Sequence, residues 1–215
     1  MKNNVTEIVF IIDKSGSMSG FESDTVGGFN AAIEKQTGEE GKAYVSTVIF
    51  NTRSEVVNDR IPLEQVQPLT EKDYRVGGCT ALLDALGDAI HHIENIHKYA
   101  RPEDVPEHTI FMITTDGMEN ASRRYSSDAV KKKIQEKTKE CGWEFIFVAA
   151  DIDAVETAES IGIRPERAVE YCKSSKGVRA TYDAMANAMC CMRRSESLDE
   201  NSSWRDELDK MIKKK

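Results

Sequence analysis

Short apolar runs alternate with helix-spaced apolar positions along the whole chain. Residues 5–12 are almost continuously apolar and rich in β-branched side chains, as expected of a strand buried on both faces. Residues 23–36 place Val26, Phe29 and Ile33 at helical spacing and stop near Gly38. Residues 44–50 and 54–61 read as two strands, joined by Asn51, Thr52 and Arg53 in a connection short enough for a hairpin. The second of the pair is then antiparallel and lies at a sheet edge. From Thr80 onward, Leu82, Leu86, Ala89, Ile93 and Ile96 step by four, three, four and three, which predicts a long amphipathic helix. Strands over 109–115, 145–149 and 168–172 alternate with helices over 127–141, 153–161 and 177–194. Asp153 and Glu156 form a capping box at the start of the second of these helices.

Strands that alternate with helices imply an α/β fold: a doubly wound, mainly parallel sheet with one antiparallel edge strand and helices on both faces. After Arg194 the composition turns polar, and Trp204, Leu208, Met211 and Ile212 then recur at helical spacing ahead of three lysines. The expected organisation is one domain over 1–194, followed by a polar linker and a short amphipathic tail over 195–215. That tail either packs on its own domain or docks into a partner's groove.

Composition narrows the class of partner. The 215 residues carry 29 Lys and Arg against 37 Asp and Glu, a net charge of -8, which argues against a nucleic-acid partner. The longest apolar runs, 8–12 and 145–150, fall far short of the roughly 18 residues of a membrane span. Glu7 interrupts the N-terminal segment, and no small-residue cleavage site follows, so a signal peptide is not expected. The five cysteines are odd in number and include no C-x-x-C pair. They predict reduced, mostly buried thiols in a cytoplasmic protein.

Ligands of doubly wound sheets bind beyond the carboxyl ends of the strands. Strand one is followed there by Asp13-Lys14-Ser15-Gly16-Ser17, the strand over 109–115 by Asp116-Gly117, and Gly77-Gly78-Cys79-Thr80 precedes the long helix. The topology therefore brings Asp13, Ser15, Ser17, Thr80 and Asp116 to one edge. All five are oxygen donors, with two carboxylates and three hydroxyls, which suits a hard cation such as Mg²⁺ or Mn²⁺. An ion held by so few charges stays electrophilic and can accept an outside carboxylate.

The set D-x-S-x-S, then a distant Thr, then a distant Asp resembles the metal-ion-dependent adhesion site (MIDAS) of von Willebrand factor type A domains. Residues 8–12, 81–86 and 113–117 around the five donors fit as well, and the likeness extends over residues 5 to about 192. It implies the Rossmann-like fold of that family, in a stand-alone bacterial form. It also implies that the two serines coordinate the ion directly, with Thr80 and the aspartates doing so directly or through water. The partner it implies is a protein that supplies a Glu or Asp to the ion. Residues 61–76 depart from the family, being short and Pro-containing where relatives place a helix.

Other residues near the edge carry weaker signals. Thr80 could cap the long helix, Asp151 is a rim candidate, and Glu119 and Asn120 could line the binding face but read first as solvated loop residues. Lys14 is expected to face solvent, and Met118, Met185, Met189 and Met192 to serve as core or helix-face residues. Arg123, Arg124 and Lys131 to Lys133 read as a solvated basic face. The alternative function is a metal-dependent hydrolase acting on a phosphate or ester at the same site. It lacks a well-placed general base, because His91, His92 and His97 lie along the long helix and His108 at the far end of the sheet. The sequence reading is therefore a binding domain and not an enzyme.

Overall fold

The computed structural model describes residues 3–150 and 152–212. Asp151 and the three terminal lysines fall outside the described residues. Six strands form one sheet: β1 (Val5–Asp13), β2 (Lys42–Phe50), β3 (Ser54–Pro62), β4 (His108–Thr115), β5 (Glu144–Ala149) and β6 (Ala168–Glu170). Their order is β3-β2-β1-β4-β5-β6. Every pairing is parallel except β2 with β3, so the hairpin strand is the antiparallel edge, as the short connection implies.

The alternation along β1 explains why both faces are covered. Ile8, Phe10 and Ile12 enter one apolar layer, under α1 (Glu22–Gln36) and α5 (Ser175–Arg193). Val9 and Ile11 enter the other, under α2 (Leu82–Tyr99), α3 (Ser127–Cys141) and α4 (Ala154–Ser160). A central strand whose odd and even positions are both buried must be apolar throughout, which is why residues 5–12 show no alternation. Helix ends follow local chemistry. Ser126 Oγ accepts the Ala129 N–H at the start of α3, and Gly142, at φ 66°, closes its end in the left-handed conformation. Asp153 caps α4 by accepting from the Glu156 N–H at 2.8 Å, as the capping box predicts.

Residues 63–79 hold a single 3₁₀ turn, Leu63–Gln65, where the family pattern places a helix. Side chains fix this segment instead. Asn30 on α1 brackets the Leu69 backbone with two hydrogen bonds, at 2.9 and 2.8 Å. Tyr74, fully buried, donates to the Asp13 carbonyl. Beyond α5 the chain turns back along the domain, and α6 (Asp206–Ile212) follows a 3₁₀ turn. Leu198, Trp204 and Leu208 are buried in the same apolar layer as α1 and α5. Met185, Met189 and Met192 belong to that layer too, as expected, whereas Met118 is 73% exposed. Met118 lies in the loop beyond β4, past the end of the core.

The cysteines correct a further expectation. All five are free, but only Cys190 is buried, with Cys172 and Cys191 half-buried and Cys79 and Cys141 exposed. The exposed pair sit in the loop before α2 and in the last position of α3, where no layer covers them.

Candidate metal centre

The register of β1 against β4 pairs Ile12 with Thr114, so Asp13 and Thr115 end side by side at the carboxyl edge. Asp13 is fully buried, and both of its oxygens are engaged. Oδ1 accepts the Ser15 N–H at 2.6 Å and Oδ2 accepts the Thr115 hydroxyl at 2.7 Å. The first of these bonds folds the loop back over the strand end, so that Ser15 and Ser17 return to the same point. Their hydroxyls are 2.9 Å apart, and Ser17 Oγ donates to Asp116 Oδ1. The loop before α2 docks on this turn through its backbone. Gly16 N donates to Gly78 O at 3.1 Å, Gly77 N donates to Lys14 O at 2.9 Å, and Asn51 Nδ2 donates to Gly77 O at 2.7 Å. Gly78, at φ 81°, has a conformation that side chains rarely adopt, and a Cβ there would meet Thr52 Oγ1 at 2.8 Å.

Gly117 locates the centre of the arrangement. A Cβ built on it would lie 2.9 Å from Thr80 Oγ1, 3.3 Å from Ser17 Oγ and 3.8 Å from Ser15 Oγ. The three hydroxyls therefore surround one point that the missing side chain leaves open. The base of the site is buried, with Asp13, Ser15, Thr80 and Asp116 all screened from solvent, while Ser17 is exposed at the mouth.

Two carboxylates meet at this edge. Burial pushes the Asp13 carboxyl above its ordinary range, against the Thr115 and Ser15 hydrogen bonds, and neighbouring Asp116 pushes it the same way. Asp116 Oδ2 is buried and faces an ammonium, Lys173 Nζ, at 3.0 Å. The donors that converge are hydroxyl and carboxylate oxygens, the set a hard divalent ion takes. Among the described residues no three His, Cys, Asp or Glu side chains are grouped to hold a metal. The residues present fit a divalent cation with oxygen ligands.

Several neighbours differ from their sequence expectations. Thr80 does not cap α2; that helix starts after Ala81 without a side-chain cap. Glu119 takes the role instead, accepting the Leu83 N–H at 2.9 Å and the Ala121 and Ser122 N–H groups at 2.9 and 2.8 Å. Asn120 clamps Thr80 by accepting its N–H at 2.9 Å and donating its own to the Thr80 carbonyl at 3.0 Å. Glu119 is half-buried against the start of α2, which corrects its reading as a solvated loop residue, whereas Asn120 is an exposed loop residue as expected, although its side chain is engaged with Thr80. Lys14 is buried beside the sheet edge and pairs with Glu55 of β3 at 2.6 Å, where an outward-pointing lysine was expected. Arg124 and Lys133 of the basic face pair with Asp88 and Glu94 of α2 at 2.9 and 3.0 Å. The histidines stand away from the site. His92 pairs with Asp59 at 2.7 Å, His97 lies 3.6 Å from buried Glu7, and His108 opens β4 at the opposite edge.

No family model matches this sequence, nor does any curated protein at a significant level. Solved structures do match its fold. Proximal thread matrix protein 1 from the mussel byssus is 16% identical at a TM-score of 0.54, the match covering 86% of this chain and 46% of that one. The same mussel protein has been solved with a zinc-occupied MIDAS motif. A von Willebrand factor type A protein from Catenulispora acidiphila is 14% identical at a TM-score of 0.57, over 88% of this chain and 43% of that one. The chain thus spans less than half the length of these two proteins. The vWF domain of the type V pili tip protein Mfa5 from Porphyromonas gingivalis is 11% identical at a TM-score of 0.60, over 86% of this chain and 94% of that domain. With its sheet order and its two helical layers, the chain has the von Willebrand factor type A fold.

Proposed function

We propose that the chain is a metal-ion-dependent protein-binding domain. Mg²⁺ (or Mn²⁺) is held at a MIDAS by Ser15, Ser17 and Thr80, with Asp13 and Asp116 behind them, and a partner protein completes the site with a Glu or Asp. The observation that carries this reading is the convergence of three hydroxyls within 3.8 Å of one point above Gly117, with Asp116 bonded to one of them. Neutral hydroxyls take little charge from an ion, so the bound cation supplies an electrophile for an incoming carboxylate oxygen. Asp13 holds the Ser15 backbone, Asn120 holds Thr80, and the glycine at 117 keeps the space open. The oxygen-only donor set favours Mg²⁺ over zinc, although a mussel neighbour carries zinc at its MIDAS. The placement of the histidines away from the site supports a binding rather than a hydrolytic role. Free thiols, two of them exposed, support a reducing cytoplasmic setting.

Thermal melting tests the site. With Mg²⁺ at about a hundred times its Kd, the wild type should melt roughly 5–10 °C higher than in EDTA. Asp13→Ala, Ser15→Ala and Asp116→Ala should lose that response. Gly117→Ala should lose it as well, because its methyl fills the cradle. A wild type indifferent to Mg²⁺ and Mn²⁺ sinks the assignment. Metal-dependent turnover of a phosphate or ester panel, lost in Asp116→Ala, would favour the hydrolase instead.

A further inference from the structure

We propose that Lys173 is a tethered cation that competes with the divalent ion for Asp116, so that metal uptake must displace its ammonium. The inference rests on the metal reading above and concerns a residue outside the five-donor motif. Lys173 Nζ lies 3.0 Å from Asp116 Oδ2; the Asp116 side chain is fully buried and that of Lys173 is 25% exposed. The lysine thus closes one side of the carboxylate whose other oxygen receives the Ser17 hydroxyl.

The lysine is delivered there by a rigid turn. β6 ends at Glu170, and α5 begins at Ser175 with Ser174 as its cap, accepting the Gly177 N–H at 3.1 Å. A Cβ on Gly177 would stand 1.8 Å from the Cys172 carbonyl oxygen, so only glycine lets the first turn of α5 sit this close beneath residue 172. Lys173 lies between these two fixed points, so its backbone is set beside Asp116 while its four-carbon stem remains free to turn.

An ammonium and a divalent ion cannot share one buried carboxylate oxygen, since they repel and occupy the same volume. The state able to take metal is then the one in which Lys173 has turned outward along its flexible stem. The apparent metal affinity is lowered by the fraction of molecules in the paired state. The same pair gives the metal-free chain a counter-charge beside its two clustered aspartates.

Mg²⁺ titration by calorimetry on the full chain, in wild type, Lys173→Met and Lys173→Arg, tests the competition. Lys173→Met should bind Mg²⁺ roughly two- to fivefold more tightly, the scale of one close, partly exposed ion pair. Lys173→Arg, which keeps the charge, should bind as wild type does. In EDTA, Lys173→Met should lower the melting temperature in the wild-type background and have less effect in Asp116→Asn. Equal or weaker Mg²⁺ binding by Lys173→Met, beside a wild type that binds, overturns the proposal and leaves the metal reading standing. Mg²⁺ uptake by Lys173→Met alone supports it in its strongest form. Uptake by neither protein overturns both.

Discussion

Asp84 shapes the approach to the candidate metal centre through the backbone it holds. Its carboxylate accepts the N–H groups of Arg123, Arg124 and Tyr125 at 3.0, 2.9 and 3.0 Å, which ties the loop beyond Asp116 to the first turn of α2. Burial opposes the charged form, but those three N–H groups and the Arg124 guanidinium outweigh it and hold the carboxyl below its ordinary range. A carboxyl depressed on folding adds stability that is complete above the unfolded-state pKa and lost as pH falls through the folded-state value. Asp84→Asn should therefore cost about 1–3 kcal/mol at pH 7 by urea unfolding. The gap to wild type should close as the pH is taken below about 4. A gap independent of pH would show that the carboxylate charge is not what holds the loop. The five oxygen donors were legible in the sequence because each sits directly after a strand or before a helix, where position alone sets direction. Asp84, Glu119, Asn120 and Asn51 were not. Each reaches at least one backbone group between 26 and 41 positions away, and no local periodicity records such a pairing. Lys14 and Lys173 were hidden for the same reason, since their carboxylate partners are 41 and 57 positions distant.

Among the elements, the contact between α1 and α5 is set by a glycine that the sequence pattern passes over. A Cβ on Gly28 would meet the Tyr182 ring at 2.5 Å, so the aromatic face of α5 lies directly on the α1 backbone. Alanine is the better helix former by about 1 kcal/mol, and on an open helix Gly28→Ala would stabilise. Here the fully packed ring has nowhere to go, and overpacking costs about 1–3 kcal/mol. The net expectation is a destabilised protein by urea unfolding, while Gly27→Ala, with nothing within 4 Å of its Cβ, should be neutral or stabilising. Both variants stabilising together would mean that α5 sits less tightly than described. Most element boundaries could be read from the sequence, because apolar period and capping residues agree: α3 spans 127–141 as its Ser126 and Gly142 flanks dictate. The shape of 63–79 could not. That segment has neither period nor caps, and its course depends on Asn30 and Tyr74, two side chains that meet backbone from elsewhere.

Across the whole molecule, the amphipathic tail stands apart from the candidate centre while sharing the domain's core. Ser195 reaches His108 at the start of β4, the edge of the sheet opposite Asp116. From there Leu198, Trp204 and Leu208 are buried, and Asp199 accepts from buried Arg167 at 2.6 Å, a guanidinium also paired with Glu144 at 2.7 Å. Burying large apolar side chains contributes about 1.5–3 kcal/mol each. Ordering the residues that carry them offsets part of this. Ending the chain after Arg194 should leave a net loss of about 3 kcal/mol, since the Arg167 pairing goes as well. For a domain of this size such a loss lowers the melting temperature by roughly 6–12 °C. The rise produced by Mg²⁺ should survive the truncation, because no tail residue reaches the carboxyl edge among the contacts described. Differential scanning of full-length and truncated protein, each with Mg²⁺ and with EDTA, separates the two quantities. An unchanged melting temperature would mean that the tail is not part of the core. A lost Mg²⁺ response in a truncated chain that still folds would mean that the far edge of the sheet controls the site, through the α5 helix that joins Lys173 to the tail.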